Sequence, residues 1–119
     1  MVPVNEAPPK KAVPEEVPLK LRVGHLLRIS GYLEIAMLSM WAERRAQVMM
    51  GMAEASVRGA GPGGPEGPDE ELLAKLRDLI GEAREYHAAD NFPAAMARMR
   101  VAEDLVALRI IRLAWDRDL

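Results

Sequence analysis

The stretch DNFPAAMARMRVAEDLVALRIIRLAW, residues 90–115, sets the fold class. Asp90-Asn91-Phe92-Pro93 reads as a turn into a helix, with Asn91 at the N-cap position and proline in the first turn, where its missing amide donor is harmless. From about Phe92 to Trp115 the apolar residues then recur at helical spacing. At 3.6 residues per turn, Phe92, Ala95, Met99, Ala102, Val106, Ile110 and Leu113 share one face. Val101, Leu105, Leu108, Ile111 and Trp115 gather on nearly the opposite face. Arg98, Arg109 and Arg112 occupy one strip between the two, and Arg100, Glu103 and Asp104 the other. A helix apolar on two sides has to be covered from two directions.

Upstream of this helix 3, Leu72, Leu76, Leu79, Ala83 and Tyr86 form one apolar stripe, with Lys75, Asp78, Glu82 and Glu85 off it. That is helix 2, beginning at Pro68 or Asp69, where Asp69, Glu70 and Glu71 complement the positive end of the helix dipole. A connection of about four residues makes helices 2 and 3 an antiparallel hairpin. Gly59 to Pro68 contains five glycines and three prolines and propagates neither helix nor strand. It lacks the preceding strand and the Lys-Ser or Lys-Thr of a phosphate-binding loop, so it reads as a flexible linker.

Before the linker, helix 1 is expected from Leu19 to Arg58. Leu19, Val23, Leu26, Ser30, Leu33, Met37, Met40, Arg44 and Val48 fall on one stripe, and Ile35, Leu38, Ala42, Ala46, Met49 and Ala53 lie off it. Ser30-Gly31 is the expected place for a kink, because glycine weakens a helix interior. Five methionines fall in this segment, a residue type that fills irregular cores and also serves adaptable surfaces. The expected architecture is therefore an all-α antiparallel bundle of three long helices spanning residues 19–119, or four if helix 1 breaks near Ser30-Gly31. Residues 1–18 carry five prolines and read as a disordered tail with no apolar signal segment.

Composition closes off several functions. The chain has 119 residues, a formal net charge of -2 and no cysteine, which excludes thiol catalysis, thiolate metal sites and a disulfide scaffold. Near-neutral charge and few aromatics argue against nucleic-acid binding, and the least charged stretch, Ile29 to Ala42, is too short to span a bilayer. A cytoplasmic location is expected. Residues 19–58 sum to +3 and residues 69–90 to -4, a complementarity expected to act between neighbouring helices. The scarcity of amides and the absence of cysteine fit a thermophilic source.

Chemistry is sparse. Neither of the two histidines, His25 and His87, has a second histidine three or four positions away. His87 has only Glu85 and Asp90 near it, a pairing that suits a hydrogen-bonded structural histidine better than a ligand, so neither a metal site nor a cofactor is expected. Ser30, Ser39 and Ser56 lack an activating arrangement, and no catalytic residue is assigned. Trp41-Ala42-Glu43-Arg44-Arg45 followed by Pro68-Asp69-Glu70-Glu71 loosely resembles the helical chorismate mutases, which clamp a dicarboxylate with converging cations; Ala55 stands where that family places a lysine. Helical toxin–antitoxin domains place an arginine four to six residues before a histidine, a spacing that Arg22–His25 and Arg84–His87 do not meet. An alternative small enzyme or nucleotide-binding bundle would draw on Arg44, His87, Arg98, Arg109 and Arg112 as a polar site.

Ser30-Gly31-Tyr32-Leu33-Glu34-Ile35-Ala36, Ala83-Arg84-Glu85-Tyr86, Asp90-Asn91-Phe92 and Val101-Ala102-Glu103-Asp104-Leu105-Val106 resemble the motifs of a family of short archaeal helical proteins of unknown function. The family's glycine and aspartate near the last motif are replaced here by Asp104 and Ala107. The resemblance implies a helical bundle and carries no functional residues. The function expected from the residues is a non-catalytic module that self-associates as a dimer, or binds another protein. Its candidate interface is Val101, Leu105, Leu108, Ile111, Trp115, Ile35, Leu38 and Met49, since two-faced helices in so small a chain call for an external cover.

Overall fold

The helical pattern between Leu19 and Asp118 resolves into four α-helices. The computed structural model describes residues 17–118, so the tail expected at residues 1–18 lies outside the described residues but for Val17 and Pro18. The helices are α1 (Leu19–Ala42), α2 (Ala46–Arg58), α3 (Glu70–Ala88) and α4 (Phe92–Asp118), with a 3-10 turn at Gly64–Glu66. No strand occurs among the described residues.

Helix 1 is broken, but at Glu43–Arg45 rather than at Ser30-Gly31, which lies inside α1. The cause is a change in hydrophobic phase. Leu26, Ile29, Leu33, Ala36 and Met40 are the buried residues of α1, and Ala46, Met50, Ala53 and Val57 those of α2. In one continuous helix the second set would sit about 110° around from the first. Reversing the chain lets both sets reach one core. Glu43 and Arg45 take left-handed backbone conformations, φ 56° and 57°, and the Glu43 and Arg44 amides cap the carbonyls of Met40 and Ser39. Arg44 and Val48, expected on the buried stripe, are exposed as a result.

The four helices form a ring in which α1 packs on α2, α2 on α3, α3 on α4 and α4 on α1, leaving α1 diagonal to α3. Cross-contacts give the directions. Ser30 meets Glu103 and Trp41 meets Phe92, so α1 and α4 are antiparallel. Gln47 with Arg84 and Val57 with Arg77 set α2 antiparallel to α3, and Glu82 with Arg98 sets α3 antiparallel to α4. The hairpin expected from residues 72–113 is thus present, with the Asn91 side chain accepting from the Ala94 amide at 3.2 Å as an N-cap. The core runs along the ring axis through Leu33, Met50, Leu76, Ile80, Met99 and Val106.

The 59–68 connector is packed tightly where it turns. Gly63 has φ +94°, and a Cβ there would stand 2.8 Å from the Gly67 Cα. A Cβ on Gly67 would collide with the Pro62 carbonyl oxygen. These two positions need glycine for conformation and for space respectively.

Candidate functional site

The polar residues singled out from the sequence are dispersed. Arg109 lies at one end of α3, where its guanidinium donates to Asp69 Oδ1 at 2.7 Å. His87 lies at the other end, about 27 Å away along the helix. Arg98 is between them, donating to Glu82 at 2.9 Å with its guanidinium 5.0 Å from the centre of the Tyr86 ring. Arg44 and Arg112 are exposed. No cavity collects the five, so the arginine-lined pocket that a dicarboxylate or nucleotide needs is not assembled among the described residues.

Two polar clusters do form, and both tie helices together. Asp69, only 1% exposed, accepts from Arg22 Nε at 3.0 Å and Nη2 at 2.8 Å as well as from Arg109. Burial pushes its carboxyl up, but the hydrogen bonds and charges of the two guanidinium groups outweigh that and hold it below the usual aspartate value. The triad pins the start of α3 to α1 and α4. At the far end the Gln47 side-chain amide lies 3.0 Å from His87 Nδ1 and accepts from Arg84 at 3.2 Å. Arg84 in turn meets Glu54 at 2.6 Å. His87 faces an opening of about 510 Å³ shared with Met40, Glu43, Arg45 and Phe92.

A third group sits inside the α1–α4 contact. Glu103 accepts from the Ser30 hydroxyl at 2.9 Å, and its other carboxylate oxygen is buried without a partner. Burial raises its carboxyl, the Ser30 hydrogen bond opposes this, and neighbouring Glu34 and Asp104 add to the rise. His25 is shifted the other way, lowered by burial and by Arg28, with Asp69 opposing. Among the described residues no group of three or more His, Asp or Glu side chains has metal-holding geometry, and no helix is long and apolar enough to cross a membrane.

What stands out is apolar and uncovered. On α4, Val101, Leu108, Ile111 and Trp115 are 46–65% exposed, while the opposite stripe lies in the core. On α1, Leu21, Leu27, Ile35, Leu38 and Trp41 are exposed, and on α2 Val48 and Met52. None of the exposed large apolar residues belongs to α3. Of the interface residues expected from the sequence, Leu105 and Met49 are instead half-buried, packed against the core. Leu27 and Trp41 extend the surface beyond that set. Their signal was their position, about 140° and about 100° respectively from the centre of the α1 core stripe. Comparison with protein-family models, with curated proteins and with solved structures finds no match for this chain.

Proposed function

We propose that this protein is a non-catalytic, self-associating helical bundle whose working surface is drawn from the outward apolar faces of α1, α2 and α4. One observation carries this: among the described residues, the large exposed apolar side chains lie on those three helices, and α3 has none. Scattered apolar residues are ordinary on a soluble surface, whereas several along one outward helix face fit an interface. The four-helix ring has no room left to bury the second faces of α1 and α4, because the first faces already fill the core. A second copy offers a cover of the same character, by the isologous pairing most common among soluble oligomers.

The dispersal of Arg44, His87, Arg98, Arg109 and Arg112 removes support from a small-molecule enzyme, and those arginines that are paired hold the bundle together. Light scattering after size exclusion, run over a range of concentrations, tests the proposal. A mass near twice that of the chain is expected, falling to the monomer in Leu108→Glu. A wild-type chain that stays monomeric at every concentration overturns it.

A further inference from the structure

The charged residues of α4 divide by direction. Those turned toward the rest of the bundle have partners within it: Arg98 with Glu82, Arg109 with Asp69, Glu103 with Ser30. Arg100, Asp104, Arg112 and Asp116, on the exposed side, have no ion pair among the described residues. Their order along the helix is plus, minus, plus, minus, and it is placed about a single centre. Asp104 and Arg112 are each four residues from Leu108; Arg100 and Asp116 are each eight. Rotation about Leu108 by a two-fold axis perpendicular to the helix therefore exchanges an acid for a base at both distances.

The apolar residues obey the same centre. Val101 and Trp115 are each seven residues from Leu108 and within about 20° of its direction around the helix, so one copy's valine lies level with the other's tryptophan. Asp104 and Arg112 lie about 40° to either side, the placing of residues that flank a helix–helix seam. A parallel pairing would instead set Asp104 against Asp104 and Arg112 against Arg112. Small against large and acid against base make the antiparallel arrangement complementary to itself.

We propose that two copies of this chain pair antiparallel through the outward face of α4, with Leu108 on the two-fold axis, Val101 opposite Trp115 and Asp104 opposite Arg112. This rests on the self-association proposed above and assigns its register.

Single-cysteine variants each report one site, because the chain has no cysteine of its own. Under mild oxidation an equimolar mixture of Val101→Cys and Trp115→Cys is expected to cross-link between the two positions, since their Cα atoms come within reach of a disulfide. Val101→Cys alone is expected not to link to itself, its two copies lying about 21 Å apart along the seam. As an independent measure, Asp104→Arg and Arg112→Asp are each expected to weaken self-association about tenfold, and the equimolar mixture to recover it, because both cross-pairs are again opposite in sign. Circular dichroism checks that each variant folds; all four positions are exposed. A Val101→Cys chain that links to itself, a dimer lacking the 101–115 link, or charge variants that associate like the wild type overturn the register alone. A wild-type chain monomeric at every concentration overturns self-association and the register together.

Discussion

Burial raises the carboxyls of both Asp69 and Glu103, and their partners decide the net direction of each. Asp69 is surrounded by two guanidinium groups, so its folded-state value lies below 3.8 and its contribution to stability is present above that pH. As pH falls through the lowered value the carboxylate protonates and the contribution disappears. Asp69→Asn should reduce stability by about 2–3 kcal/mol at pH 7, discounted for the partial exposure of both arginines, and the deficit should shrink in urea titrations below pH 3.8. Glu103 has one orphaned oxygen and two acidic neighbours, and its folded-state value is raised above 4.5. The folded state therefore holds that proton to higher pH, and stability declines as pH rises through the window between 4.5 and the raised value. Glu103→Gln, which keeps an acceptor for Ser30 without the charge, should raise the urea midpoint at pH 7 and flatten the decline. Neither role was legible residue by residue. Asp69 read as a helix-dipole complement, because its partners Arg22 and Arg109 are 47 and 40 positions away in the chain.

At the scale of the element, the helices were legible and one boundary was not. The apolar periods over 72–86 and 92–113 predicted α3, α4 and the turn between them, since a repeating stripe is a many-residue signal. The break in helix 1 was expected at Ser30-Gly31, where glycine weakens the helix interior, and occurs at Glu43–Arg45, which contains neither glycine nor proline. Its signal was the shift in phase between Met40 and Ala46, which is visible only when the two stripes are assigned to different helices. The left-handed residues at that break carry strain that glycine would relieve. Arg45→Gly should stabilise the protein by about 0.5–1 kcal/mol, the gain being trimmed by the greater freedom of glycine in the unfolded chain. Gly67→Ala should do the reverse, lowering stability by about 2 kcal/mol as the added methyl forces the connector apart. Both are read from the midpoint of urea denaturation by circular dichroism.

For the molecule as a whole, the outward faces of α1, α2 and α4 carry the exposed large apolar residues, and that of α3 has none. Between residues 19–58 and 69–90, whose net charges are opposite, Arg22–Asp69 pairs in the expected sense, whereas Arg84–Glu54 joins the same segments with the signs reversed. If association is coupled to folding, thermal stability depends on protein concentration by mass action. The wild-type midpoint temperature should rise as concentration is increased, and Leu108→Glu, placing a charge at the centre of the proposed seam, should abolish that dependence while keeping the helical circular dichroism signal. Differential scanning fluorimetry over a hundredfold range of concentration reads both.

Local pattern alone determined that this chain is all-α, that residues 72–113 form an antiparallel hairpin, and that α4 has two apolar faces, because each of these follows from the helical repeat along a few contiguous turns. The tertiary structure alone decided where helix 1 reverses, which of the two faces of α4 is covered, and that Asp69 rather than any of the histidines collects the arginines. Those outcomes depend on contacts between residues tens of positions apart. A helical period records the direction in which a side chain points on its own helix, and only the packing of the four helices determines what stands in front of it.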